Sequence, residues 1–180
     1  SVADTALLVV DVQEKLIGAI GGHRRVVWNI GRLIDGAKTL GLEVLGTEQY
    51  PQGLGPTVPE LAERLGPLPC KRDFSACACA GLFESLRARG VFRVLVSGIE
   101  THVCVQQTVL DLLADGWRTY VAVDAVGSRL EIDHRTALAR MEAAGAVLTT
   151  TEAAVFEWCE TAAHPRFKEI CRLVRQEAPE

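Results

Sequence analysis

Short apolar runs alternate with amphipathic stretches about six times along the chain, and this alternation limits the fold more than any other feature. Such an alternation predicts a parallel sheet with helices on both faces. Right-handed crossovers then favour a doubly wound strand order such as 3-2-1-4-5-6. We therefore predict an α/β fold, a three-layer, mostly parallel, Rossmann-like sheet of six strands. The predicted strands are Thr5–Val10, Glu43–Thr47, Pro67–Lys71, Phe92–Val96, Thr119–Val123 and Ala146–Thr149.

The stretches between these strands have helical periodicity. In Arg24–Leu40, apolar positions recur at Val27, Ile30 and Leu33, and Gly41 provides a stop. The other predicted helices are Val58–Leu65, Leu82–Arg89, Val103–Ala114, Ile132–Ala144, Thr151–Trp158 and Pro165–Gln176. No internal repeat or linker divides the sequence, so residues 1–180 are expected to form one domain.

Charge and cysteine content narrow the classes of partner. The net charge is −4 and no basic run is present, so neither nucleic acid nor a membrane surface is an expected partner. The N-terminus has no signal-peptide pattern, which predicts a cytoplasmic protein and six reduced cysteines. Cys77 and Cys79 lack the spacing of a zinc site. We expect no metal and no cofactor.

The segment Ser97–Val105, S-G-I-E-T-H-V-C-V, joins the fourth predicted strand to the following helix. It places Cys104 in or near the first helical turn, beside the positive end of the helix dipole and unpaired backbone N–H groups. Both features favour the thiolate, and the same N–H groups could hold an oxyanion. The alternative is that Cys104 is a small buried hydrophobic residue.

Two further residues converge on Cys104 if the predicted topology holds. Asp11 ends strand one, beside strand four, and Lys71 ends strand three, about 10 Å away at a strand spacing of about 4.8 Å. Asp11 could accept the thiol proton, and Lys71 could hold Asp11 ionised and lower the thiol pKa. Alternatively, Asp11 caps a turn through Gln13 and Lys71 is a solvated charge.

Several segments resemble the isochorismatase-like hydrolase superfamily, which includes the cysteine hydrolases nicotinamidase and N-carbamoylsarcosine amidase. They are L-L-V-V-D-V-Q at residues 7–13, Lys71–Ala76 with its F-S-A, S-G-I-E-T-H-V-C-V-Q-Q-T at 97–108, and V-D-A-V-G-S-R at 123–129. T-T-T-E-A-A-V-F-E-W and H-P-R-F-K-E-I are similar to the branch of isochorismatase domain-containing proteins. The likeness covers essentially the whole chain.

The resemblance implies roles for the matching residues. Cys104 corresponds to the nucleophile, Asp11 to the general base and Lys71 to the third triad member. It also implies a cis peptide at Ile99–Glu100 that aims the backbone N–H of Glu100 beside that of Cys104 as an oxyanion hole, and a homo-oligomer, a dimer or tetramer. Residues 47–51, T-E-Q-Y-P, lack the histidine of the nicotinamidase metal cluster. Enzymes that cleave isochorismate itself lack the cysteine.

Other residues at the predicted carboxyl edge are candidates for contact with a substrate or for loop packing. These are Gln13, Gln49, Tyr50 and Phe74. His102 is expected to point away from Cys104. Asp124 and Ser128 are expected to fix the loop before the next helix. Trp117, Trp158 and Phe156 are expected in the core or at a subunit interface.

These inferences predict a hydrolase of a small-molecule amide or ureido C–N bond that acts through a Cys104 thioester. One alternative is ether hydrolysis by Asp11 without covalent catalysis. Another is a non-catalytic interaction protein with a degenerate pocket.

Overall fold

The chain forms one six-stranded parallel sheet in a computed structural model that describes residues 1–179. The strand order is β3-β2-β1-β4-β5-β6 and every pairing is parallel, which confirms the predicted 3-2-1-4-5-6 α/β fold. The strands are β1 Thr5–Val10, β2 Glu43–Gln49, β3 Cys70–Lys71, β4 Arg93–Ile99, β5 Arg118–Gly127 and β6 Val147–Thr149.

Nine α-helices connect the strands within residues 1–179. They are α1 Glu14–Ile17, α2 His23–Leu40, α3 Pro51–Leu54, α4 Pro59–Leu65, α5 Ala80–Ala88, α6 Gln106–Ala114, α7 Glu131–Ala143, α8 Thr151–Cys159 and α9 Phe167–Val174. Helix α2 ends as predicted, because Gly41 adopts φ 86° and its N–H closes the last turn on the carbonyls of Ala37 and Lys38. Within the described residues, no helix combines the length and apolar character needed to cross a membrane.

The two faces of the sheet bury separate apolar clusters. Every residue of β1 is buried, and its side chains alternate between the faces. Leu7 and Val9 pack with α2, α8 and α9, whereas Leu8 and Val10 pack with α5, α6 and α7. Burial on both faces explains why β1 is an uninterrupted apolar run, and it leaves the carboxyl edge as the place where polar side chains gather.

Strand β4 is longer than predicted and closely approaches β1. It continues through Ser97 and Gly98 to Ile99, because the pairing with β1 extends to Val10 opposite Gly98. Gly98 has φ 136°, and a Cβ atom there would lie 2.2 Å from the carbonyl oxygen of Val10. Only glycine fits this position, which fixes where the following turn begins.

Candidate active site

A buried ion pair joins the ends of β1 and β3. Lys71 Nζ lies 2.6 Å from Asp11 Oδ2, and both side chains are almost completely excluded from solvent. The other carboxylate oxygen, Oδ1, accepts a hydrogen bond from Thr47 Oγ1 at 2.8 Å. The predicted meeting of Asp11 and Lys71 is therefore confirmed, and the carboxylate is held by partners on both oxygens.

The ammonium group of Lys71 is fixed by neutral partners as well. Nζ lies 2.8 Å from Gln49 Oε1 and donates to the carbonyls of Phe74, at 2.8 Å, and Asp73, at 3.1 Å. These two carbonyls belong to the loop that follows β3. The solvated-charge alternative for Lys71 is wrong, since a lysine nearly surrounded by acceptors in a buried site has lost its freedom to move.

Gln13 holds the site together rather than contacting a substrate. Its amide nitrogen donates to the carbonyls of Gln49, at 3.0 Å, and Gly55, at 2.7 Å, and its Oε1 accepts from the Gln49 N–H at 2.8 Å. The side chain is completely buried. Its polar atoms are occupied by the β2 loop, so its assignment to substrate binding is corrected to loop packing.

Cys104 lies in a π turn, Thr101–Val105, that precedes α6. The thiol is buried, and the topology places it beside Asp11 as predicted. Burial raises the pKa of the Cys104 thiol, the charge of Asp11 and the hydrogen bond between them raise it further, and Lys71 lowers it. Burial is the largest of these effects, so it opposes the thiolate that the helix end favours.

The Ile99–Glu100 peptide bond is trans, so the predicted cis bond is wrong. The chain instead reverses direction through Glu100 itself, which adopts φ 53° and ψ 68°. Asp11 also has a positive φ of 54°. A non-glycine residue in this region is strained and is retained only where its surroundings over-determine it, which is typical of functional sites.

A cavity of about 390 Å³ opens above the thiol. Its lining combines apolar side chains with three charged ones. The lining residues are Lys15, Leu16, Ala19, Gln49, Leu54, Phe74, Glu100, Val103, Cys104 and Arg129. This volume suits a small molecule.

Some of the remaining residues that were candidates for substrate contact line this cavity, and others do not. Gln49 and Phe74 line it, and Phe74 is half exposed. Tyr50 is exposed but does not line the cavity; its ring packs under the Arg72 guanidinium, whose carbon lies 4.9 Å from the ring centroid. His102 turns away from the thiol toward Ser128, with 3.0 Å between Nδ1 and Oγ.

Other polar and aromatic residues that the sequence analysis considered have structural roles. Asp124 accepts two hydrogen bonds from Thr151, so it anchors the start of α8 rather than its own loop. Trp117 and Trp158 are buried, and Phe156 packs against the core of the α2 face.

All six cysteines are free. Among residues 1–179, no group of three or more His, Cys, Asp or Glu side chains is arranged to hold a metal ion.

Comparison with known proteins shows the family of the chain. Residues 5–153 match the model of the isochorismatase domain. The chain belongs to the isochorismatase domain family. Small-molecule hydrolysis is therefore its expected class of activity.

Relatives and solved structures agree with this membership. The chain is 43% identical to human isochorismatase domain-containing protein 2 over 178 residues, 98% of this chain and 85% of that protein. A Caenorhabditis elegans structure described as MAR1 ribonuclease is 42% identical, has a TM-score of 0.94, and the match covers 100% of this chain and 94% of that one.

Structures of YcaC are more distant. YcaC from Pseudomonas aeruginosa, described with hexane-2,5-diol and covalent acrylamide, is 26% identical with a TM-score of 0.79, covering 96% of this chain and 94% of that one. YcaC from Escherichia coli, described as an octameric hydrolase of unknown specificity, is 26% identical with a TM-score of 0.77, covering 96% of this chain and 92% of that one.

Several residues that shape the site were not predicted from the sequence. Thr47 was assigned only as a strand end, and Lys15, Arg129 and His134 were given no role. The register of β1 with β2, which sets Val10 against Thr47, could have indicated Thr47 once the strand pair was assumed. The others depend on how far a side chain reaches across the loops.

Proposed function

We propose that the protein hydrolyses the C–N bond of a small carboxamide or ureide through a covalent Cys104 intermediate. One observation carries the proposal: the buried Cys104 thiol lies beside a carboxylate that Lys71 and Thr47 hold in place, beneath a cavity of small-molecule size. A buried nucleophile, its base and the group that orients the base form the arrangement that covalent catalysis requires.

The reaction begins from the neutral thiol. As the sulfur attacks the substrate carbonyl carbon, the thiol proton passes to Asp11 and the carbonyl oxygen becomes an oxyanion. The backbone N–H groups of Glu100 and Cys104 are the proposed donors to that oxyanion. The C–N bond then breaks, the amine leaves with the proton from Asp11, and a thioester remains on Cys104.

Water completes the cycle. Asp11, again a carboxylate, takes a proton from a water molecule that attacks the thioester carbonyl. The C–S bond breaks, the sulfur regains the proton, and a carboxylic acid, or a carbamic acid from a ureide, is released. Lys71 stays protonated throughout and keeps Asp11 in its hydrogen-bonding position.

The cavity lining is suited to contact with a small acyl group. Leu16, Leu54 and Val103 give it apolar walls, and Phe74 offers a half-exposed ring beside the loop that holds Lys71.

The test is a screen of small amides and ureides with wild-type protein and with Cys104→Ala and Asp11→Asn. We expect both variants to lose activity by at least about 10³-fold, and intact-mass spectrometry of the wild type to show an acyl adduct. Cys159→Ala is the matched control, since Cys159 is equally buried but packs on the opposite face of the sheet.

The alternatives give different results. Full activity in Cys104→Ala with loss in Asp11→Asn would indicate ether hydrolysis by the carboxylate, as in isochorismate-cleaving enzymes. No turnover of any amide, ureide or vinyl ether by the wild type would favour a binding protein.

A second candidate is RNA hydrolysis, because the C. elegans structure that is 42% identical is described as a ribonuclease. The net charge of −4 argues against a polyanionic substrate. Labelled single-stranded RNA belongs in the same screen. Cleavage that is lost in both Asp11→Asn and Cys104→Ala would favour this second candidate.

A further inference from the structure

Three consecutive residues that lead into and begin the π turn are each hydrogen-bonded or ion-paired to one segment, residues 128–134. Glu100 Oε1 lies 2.8 Å from Arg129 Nε. Thr101 Oγ1 lies 3.0 Å from His134 Nδ1, and His102 Nδ1 lies 3.0 Å from Ser128 Oγ. The proposed nucleophile follows two residues later, so these side chains connect Cys104 to the start of α7.

The Thr101–His134 hydrogen bond is less exposed to solvent than the Glu100–Arg129 ion pair. Thr101 is completely buried, whereas the Arg129 side chain is 60% exposed and solvent competes for its ion pair. Burial lowers the pKa of His134, which favours its neutral ring as the hydrogen-bond partner of the Thr101 hydroxyl. This partly buried hydrogen bond restrains the positions of both side chains.

The backbone on either side of Thr101 needs such support. Glu100 has a left-handed conformation, and Thr101–Val105 forms a π turn, which is rare and less favourable than an α-helix. Backbone strain next to the nucleophile is stable only when neighbouring contacts determine it. Part of this support comes from outside the turn, because His134 of α7 and Ser128 and Arg129 of the preceding loop contact residues 100–102.

We infer that His134 is a positioning residue that holds the π turn through Thr101 and so places the Cys104 thiol against Asp11. The inference rests on the proposed function for its consequence in catalysis. The inferred geometry concerns only the position of the thiol relative to Asp11, so it can be tested without a substrate.

The test follows alkylation of Cys104 by iodoacetamide against pH, with peptide mass spectrometry to separate the six cysteines. Compared with wild type, His134→Gln is expected to shift the midpoint of the pH–rate profile downward, toward that of an ordinary thiol, because the sulfur moves away from Asp11. His134→Asn is expected to keep the wild-type profile, since the Asn amide occupies the position of Nδ1 and the Gln amide that of Nε2.

Two more variants test whether the effect comes from the Thr101–His134 hydrogen bond. Thr101→Val removes the same hydrogen bond from the other side, so its effect and that of His134→Gln should not add in the double variant. Arg135→Ala, exposed on the same helix, is the control for a general loosening of α7. With an amide substrate in hand, kcat should fall roughly tenfold in His134→Gln while KM stays within about twofold.

Identical profiles for His134→Asn and His134→Gln would overturn the inference, as would additive effects of Thr101→Val and His134→Gln. A lower Tm with an unchanged alkylation profile would assign His134 a structural role only. Failure of the proposed amidase activity leaves the alkylation result intact, so the two proposals fail separately.

Discussion

Asp11 has two opposite effects on Cys104. Its negative charge and hydrogen bond raise the pKa of the thiol, yet in the proposed mechanism the same carboxylate accepts the thiol proton during attack. Burial affects the thiol pKa more than the helix end does. Burial can destabilise the thiolate by about 4–7 kcal/mol, whereas a helix end stabilises it by only about 0.3–1 kcal/mol. In the proposed mechanism, Cys104 therefore rests as a thiol and ionises as it attacks.

This balance predicts the pH dependence of thiol alkylation. Cys104 should react with iodoacetamide far more slowly near pH 7 than Cys70, an exposed cysteine that serves as an internal reference in the same digest. Asp11→Asn should move the Cys104 profile to lower pH, because the substitution removes a negative charge and leaves the Lys71 cation unpaired. An Asp11→Asn profile shifted to higher pH would contradict the assigned electrostatics.

The sequence was sufficient to predict that Asp11, Lys71 and Cys104 lie together, but not to predict the contacts that hold them in place. Asp11, Lys71 and Cys104 follow strands whose order sets their neighbours, so topology alone brings them together. Gln13 was mistaken for a substrate contact because its burial depends on the path of the β2 loop. The protonation state of Cys104 depends on desolvation, which no local motif encodes.

At the scale of elements, the contact between β1 and β4 determines where the π turn begins. Gly98 approaches the Val10 backbone so closely that a methyl group would overlap it. Val10 in turn precedes Asp11, so this one contact sets the spacing between Asp11 and the segment that carries Cys104.

Gly98→Ala should therefore lower the free energy of unfolding by about 3 kcal/mol or more, since the overlapping atom is backbone and cannot rotate away. Gly145→Ala is the matched control: Gly145 has φ 110° with open space around it, and its cost should be about 1 kcal/mol from backbone conformation alone. Urea unfolding measures both. Equal costs for the two variants would show that the β1–β4 contact adjusts to a side chain.

The long, doubly buried strands and the amphipathic helices were predicted well because each carries its own pattern. Helix α2 was placed within one residue, and its stop at Gly41 was confirmed. The short helices α1 and α3 and the extension of β5 through Gly127 were missed. Their residues have no periodicity of their own, and tertiary contacts at the carboxyl edge determine their conformation.

At the scale of the whole molecule, the helices cover both faces of the sheet but leave apolar side chains at the start of α7. Leu130 and Ile132 are 59% and 62% exposed, and they lie within the 128–134 segment that contacts the π turn. A pair of large exposed apolar residues on a chain of net charge −4 is a candidate contact between subunits. The cytoplasmic location and the absence of nucleic-acid partners remain predictions.

The homo-oligomer predicted from the family resemblance can be tested at this surface. Light scattering after size exclusion should give a mass that is a multiple of 19.5 kDa, and the octameric description of E. coli YcaC supports assembly in relatives. Leu130→Ser combined with Ile132→Ser should shift the mass toward that of the monomer, because the change removes apolar area from the contact. Val147→Ser, at a residue 50% exposed at the β6 edge, is the matched control and should leave the mass unchanged. A monomeric wild type would contradict the predicted assembly, and an unchanged oligomer in the double variant would place the contact elsewhere.

Because the 128–134 segment connects this surface to Cys104, the same variant should also be compared with wild type in the alkylation profile of Cys104.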